Sequence, residues 1–300
     1  MAVKKQHFSS LGSPTDSMYS MTDEDIKRLH QVLLDMYKEI NEVCRKHKIH
    51  LIAAGGTALG TIRHKGFIPW DDDMDLFMFR SEFEKFRKFF YEELGERYYL
   101  LAPGNKDGAN CFLPRIMKKG TTLLGMIDEA APYPHGIYID INIIEYAPRN
   151  KVMFGIKSLM CDSLRFISYS VYWSQYKSRS FADFMLHSKG NKYYRFRMLI
   201  GKVLGFRKAE DWFALFDKCV KHRRSDVFTV PSGTKKYRGE VLKKNVVLPL
   251  KKVIFEDTSI FVFNDYDWYL SNLYGDYMVI PDQQNRERHL CLKLDFDSES

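Results

Sequence analysis

Four of the five positions from Asp71 to Asp75 are aspartates, and an apolar run, Leu76 to Phe79, follows at once. Side chains alternate along a strand, so Asp73 and Asp75 share one face about 6.5 to 7 Å apart, and Asp71 joins them if the strand begins that early. Met74, Leu76 and Met78 then point the other way, to the core. Ionised carboxylates within such reach repel and raise one another's pKa. A divalent cation removes that cost, and oxygen-only ligands select a hard ion, Mg²⁺ or Mn²⁺. Asp140 offers a third arm: it lies among isoleucines in "GIYIDINII", on the face opposite to them. There it serves as a metal ligand or as the base for a hydroxyl nucleophile.

Two further groups complete a constellation. Gly55, Gly56 and Thr57 stand where a short strand turns into a helix. Glycines at such a turn let backbone N–H groups approach a phosphate, and the helix dipole favours the anion. Arg63, His64 and Lys65 add positive charge just before the aspartates. Metal, anion cradle, cationic clamp and base are together what phosphoryl transfer requires.

The elements that must position these groups are readable from periodicity. Thr22 and Asp25 form a capping box for a helix whose apolar face is Ile26, Leu29, Leu33, Met36, Ile40 and Val43. "KIHLIAAGG" reads as a short buried strand ending at the two glycines, "TALGTIRH" as a short helix that follows them and "DMDLFMF" as the acidic strand. Ser81 with Glu84 predicts a second capping box, ahead of a helix burying Phe83, Phe86, Phe90 and Leu94. Residues 98–101 and 115–119 read as strands, and Ile137, Ile139, Ile141 and Ile143 mark a period-2 strand. Near the C-terminus an Asn-Asp turn at 264–265 enters a short helix that Gly275 closes. This order predicts an α/β (α+β) fold, a mixed sheet flanked by helices, divided into a flexible lead-in (1–20), a catalytic core (21–150), a basic aromatic helical insertion (151–235) and a C-terminal segment completing the site (236–300).

The bulk numbers agree. The chain has 300 residues, 45% hydrophobic and 28% charged, with 22 Phe and 18 Tyr, enough for a sizeable core. Its net charge is +8, but residues 151–224 hold sixteen Lys/Arg against five Asp/Glu, a local +11, so the remainder sums to −3. Within that span "KYYRFRMLIGKVLGFRK" reads either as a helix lying on an anionic membrane surface or as one packed on the core; no nucleic-acid motif is present. Five cysteines without a CxxC pair argue against a disulfide framework or zinc site and for a reducing cytoplasm. The N-terminus lacks the apolar region of a signal peptide, and no run of about 18 apolar residues predicts a transmembrane helix.

"GGTALGTIRHKGFIPWDDDMDLFM" resembles the signature of the LicD family, within the nucleotidyltransferase superfamily, and "GIYIDINIIEYAP" and "YDWYLSNLYGDYMVIP" followed by "RERH" resemble two further blocks of it. The resemblance covers 22–150 and 240–290. It implies a nucleotidyltransferase-type core and Mg²⁺-dependent transfer of phosphocholine from CDP-choline to a sugar hydroxyl of a teichoic acid, lipopolysaccharide or capsule precursor, on a free or lipid-linked glycan, with CMP released. It implies Asp73 and Asp75 as metal ligands with Asp71 beside them, Asp140 as the third carboxylate, and Arg286 and His289 in phosphate binding or acid/base work. A choline head group calls for aromatic faces, and Trp70, Tyr133, Tyr138, Tyr266, Trp268 and Tyr269 are the candidates. CDP-ribitol or CDP-glycerol would need no such cage. Nucleotidyl transfer from an NTP, with pyrophosphate released, is the rival enzymatic reading, and a binding module on the same fold the non-enzymatic one.

Overall fold

The computed structural model describes residues 18–283, 286 and 291–297. Its first helix, α1 (Asp23–Lys46), starts where the capping box predicts: the Thr22 side chain accepts from the Asp25 N–H, and the Asp25 carboxylate accepts from the Thr22 N–H. Of the anticipated apolar stripe, Ile26, Leu29, Leu33, Met36 and Ile40 are buried and Val43 packs beside them. The lead-in reading does not extend to its last residues, because Tyr19 donates its N–H to Cys291 O at 2.9 Å.

The sheet has the strand order β3-β4-β6-β2-β1-β10-β9, from β1 (Ile52–Ala53), β2 (Asp75–Phe79), β3 (Tyr98–Leu101), β4 (Arg115–Lys118), β6 (Tyr138–Tyr146), β9 (Lys251–Phe255) and β10 (Thr258–Val262). The pairs β2–β6 and β1–β10 are parallel and the others antiparallel, so the sheet is mixed as expected. The far end of β6 continues into β7 (Val227–Thr229) and β8 (Val241–Lys243). A separate ribbon joins β5 (Thr122–Gly125) to β11 (Cys291–Asp295).

Strand β1 is short and buried, as expected, with only Ile52 and Ala53 paired, and β2 begins only at Asp75. The second predicted capping box does not form. Helix α3 (Arg80–Glu93) follows β2 directly, with Phe79 at its N-cap and no side-chain cap. Arg80 has drawn the start of the helix forward: its guanidinium meets Glu145 on β6, Asp217 on α7 (Ala209–Val220) and Glu84. Glu84 is thereby used in ion pairs with Arg80 and Lys221 and is not available as a cap. The core face of α3, Phe83, Phe86, Phe90 and Leu94, is buried as its spacing requires.

The insertion is helical: α4 (Lys151–Gln175), α5 (Arg179–Leu186), α6 (Asn191–Leu204) and α7. It has its own aromatic core of Tyr172, Trp173, Phe181, Phe213 and Phe216, joined by Phe112 and Met126 from the core segment. The chain is back in the sheet by Val227, inside the span assigned to the insertion. Among the described residues no helix is long and apolar enough to cross a membrane.

Candidate active site

The site lies where β1 ends and β2 and β6 begin. After β1, Ala54 caps α2 (Gly55–Arg63), and Gly55 takes φ +46°, a conformation a side chain resists. Both glycines are thus inside the first turn, and the helix starts two residues earlier than predicted. The Gly55 N–H donates to the Tyr269 hydroxyl at 3.0 Å, so this amide is spent on the C-terminal helix α8 (Tyr266–Tyr274). Thr57 is buried, and its hydroxyl accepts the Asp75 N–H at 2.9 Å. It anchors the backbone of the acidic strand and does not line the cavity. Gly56 is the close-approach position: a Cβ there would lie 2.6 Å from Asp71 Oδ2.

Asp71, Asp73, Asp75 and Asp140 line one cavity of about 500 Å³, together with Gly55 and Gly56. Asp72 is buried and does not line this cavity. The parallel register pairs Asp75 directly with Asp140, and neighbouring strands are about 4.8 Å apart, so the two acidic segments meet. Two of these carboxylates are held by side chains from the neighbouring strands. Asp140 accepts from Arg115 Nε at 2.7 Å, and Arg115 reaches on to Asp128 at 3.8 Å. Asp75 accepts from Asn142 Nδ2 at 3.2 Å, and Asn142 Oδ1 accepts from Ser232 at 2.9 Å. These donors suit a hard divalent cation by their chemistry. Among the described residues, no three His, Cys, Asp or Glu side chains already converge at ligand spacing.

The opposite wall comes from the C-terminal return. Ser232, Gly233, Thr234 and Glu240 line it, with Tyr269, Tyr274 and Tyr277. Burial first, then the carboxylates Asp71, Asp75, Asp73 and Glu240, push the Tyr274 hydroxyl far above its ordinary pKa. Tyr274 is therefore a neutral O–H among acids, a donor at any physiological pH. Glu240 is 4% exposed and accepts the Lys235 N–H at 3.1 Å, with Gly233 pressed against its carboxylate.

The predicted cationic clamp is rearranged. Arg63 lines the cavity, but its Nη1 donates to the carbonyls of Tyr277 (2.8 Å) and Val279 (3.2 Å), so it also ties down the C-terminal segment. His64 accepts from Arg63 Nε at 2.9 Å and meets Trp70 edge-on; burial and Arg63 lower its pKa. Lys65 is exposed at φ +59°. Neither His64 nor Lys65 lines the cavity. The second cavity cation is Arg286, whose guanidinium stacks 4.1 Å over Trp70, while Arg63 lies 5.9 Å from the same ring. His289 is outside the described residues. Of the aromatic candidates only Trp70 and Tyr269 face the cavity; Tyr133, Tyr138, Tyr266 and Trp268 do not.

Sequence reasoning did not find Arg115, Ser232, Glu240 or Tyr274 as site residues. Asn142 carried a usable signal, since it stands two places from Asp140 on the same strand face. The others reach the site through long-range packing, which leaves no local pattern.

Comparisons with known proteins agree with this geometry. A profile of the LicD/FKTN/FKRP nucleotidyltransferase domain matches residues 48–103, which hold the glycine turn and the aspartate cluster. The lipopolysaccharide cholinephosphotransferase LicD of Haemophilus influenzae is 28% identical over 264 residues, 86% of this chain and 93% of that protein. An uncharacterized protein of Rickettsia prowazekii is 35% identical over 63 residues, 19% of this chain and 24% of that protein. Residues 48–103 thus match the nucleotidyltransferase domain of the LicD family, and the chain is similar to a LicD cholinephosphotransferase along most of its length.

Proposed function

We propose that this protein transfers phosphocholine from CDP-choline to a hydroxyl of a cell-surface glycan and releases CMP. The observation that carries the reading is the Asp75–Asp140 register, which brings carboxylates of two strands into a cavity that also holds the glycine turn and Arg286. Similarity to a lipopolysaccharide cholinephosphotransferase along nearly that protein's whole length supports the substrate class.

In this mechanism the acceptor oxygen attacks the phosphorus that bears choline, and the bond from that phosphorus to the CMP oxygen breaks. Asp140 takes the acceptor's proton, with Arg115 fixing its orientation. Arg286 and Arg63 offset charge on the donor phosphates, and the Tyr274 hydroxyl donates into the same space. Asp73 and Asp75, with Asp71 beside them, would hold Mg²⁺ or Mn²⁺, which when bound neutralises phosphate charge. A lipid-linked glycan acceptor and work at the inner face of the plasma membrane follow from the same reading.

Transfer of ribitol or glycerol phosphate from its CDP derivative is the second reading. It is favoured by one observation: the Trp70 face is already covered by Arg286, so a choline cage would have to be built from Tyr274 and Tyr277 instead. Incubation with CDP-choline, CDP-ribitol, CDP-glycerol or CTP, with Mg²⁺ and a glycan acceptor, separates these. CMP from CDP-choline alone supports the proposal; pyrophosphate from CTP, or CMP only from another CDP-alcohol, overturns it.

A further inference from the structure

Of the seventeen large hydrophobic residues exposed among the described ones, eleven lie between Val152 and Leu215. Their arrangement is ordered. On α4 the positions 152, 156, 159, 163, 166, 170 and 174 advance in steps of three and four, so they form one stripe. Helix α6 covers only the second half of it. The Arg197 guanidinium sits 4.3 Å over Phe166, and a Cβ on Gly201 would lie 2.0 Å from Ser170 O and 2.6 Å from Ser174 Cβ. The first half stays open, with Val152, Ile156 and Leu159 57–70% exposed and Met153 and Met160 beside them.

The outward side of α6 carries the same texture. Phe196, Leu199 and Val203, with Phe206 just past the helix, are 52–74% exposed, and Lys192, Arg195, Lys202 and Arg207 are exposed among them. No acidic residue occurs in α6. Because α6 rests on the α4 stripe, its free side and the open half of that stripe point the same way, offset by one interhelical distance, about 8–10 Å. Arg197 is not part of this face. It is 9% exposed, and its guanidinium is stacked on Phe166, Trp173 and Tyr193.

We infer that this stepped face docks on an anionic lipid bilayer, with α6 lying in the interface and the open half of α4 at headgroup depth. Interfacial helices sink about 5–10 Å, which matches the step, and interleaved cations complement anionic headgroups. A second copy of this chain carries the same positive charge on the same face, which opposes self-association. The inference extends the proposed work at a membrane but is read without donor or acceptor, so loss of one leaves the other standing.

Flotation of the full chain with vesicles of phosphatidylcholine alone, or of equimolar phosphatidylcholine and phosphatidylglycerol, tests it. Binding is expected to the anionic vesicles only and to fall with added salt. Lys192→Gln with Arg195→Gln should weaken it roughly 30-fold, about fivefold per charge. Phe196→Ser with Leu199→Ser should weaken it at least about tenfold. All four positions are exposed, so the variants should keep the wild-type circular dichroism. No binding, binding indifferent to both pairs, or a dimer in light scattering that the apolar pair abolishes would overturn the inference.

Discussion

Replacement of Gly56 by alanine separates chemistry from stability in this site. Gly56 has no left-handed backbone to protect and lies in the first turn of α2, where alanine is the better helix former by up to about 1 kcal/mol. The added methyl would meet Asp71 Oδ2 at 2.6 Å, against an ordinary contact of 3.4 Å or more. The carboxylate, the mobile end of a side chain, must retreat by about 0.8 Å. Misplacement near 1 Å at a reacting centre costs on the order of a hundredfold in rate. Gly56→Ala should therefore melt no lower than wild type while CMP release falls by one to two orders of magnitude. Gly55→Ala is the contrast: at φ +46° it should destabilise by about 1–2 kcal/mol. The test is CMP release and thermal melting for Gly56→Ala, Asp71→Ala and the double variant. If displacement of Asp71 is the cause, the double variant behaves as Asp71→Ala alone. Full activity in Gly56→Ala, or a further loss in the double variant, would refute the argument.

Asp75→Asn should keep the fold and lose turnover by more than about two orders of magnitude, along with any Mg²⁺-induced rise in melting temperature; unfolding of the variant would mark Asp75 as structural. Arg115→Met strands the Asp140 carboxylate in a mostly buried position and should cost about 3–5 kcal/mol in urea unfolding, partly recovered by Asp140→Asn; a loss under about 1 kcal/mol would show that the pair is dispensable. His30 stacks on Phe67 and holds Asp71 O through Nε2 at 2.7 Å, and burial lowers its pKa. The unfolded chain then binds the proton first, so His30 stabilises fully above about pH 6.5 and that contribution is lost as pH falls toward the folded pKa. His30→Asn should flatten that slope in urea midpoints; an unchanged slope would place it elsewhere.

The legible parts of the molecule were those with local signatures. The Thr22 box, the α3 phenylalanines and the isoleucine alternation of β6 each answer to neighbours within a few residues, and each formed as spaced. The aspartates were legible because like charge concentrated beside an apolar strand has few inexpensive explanations. What failed to show was decided at long range. Arg80 met Glu145 and Asp217, and that overrode the Ser81–Glu84 box. Arg63 turned to carbonyls more than two hundred residues away, which dismantled the Arg63–His64–Lys65 clamp. Arg197 looked like a surface cation from its neighbours and became a stacked core residue instead.

The two-residue β1 has a further consequence. One of its flanks is completed by Phe261, and the glycine turn it leads into is pinned by Tyr269. During synthesis the acidic loop therefore emerges long before the segment that locks it. A ribosome-bound chain halted ahead of Lys251 would already display the whole matched domain, yet β1 would be an open edge and Gly55 would lack its tyrosine. The pocket is thus a late product of translation, and the nascent chain has to keep that unfinished margin away from other strands until roughly two hundred more residues have been made.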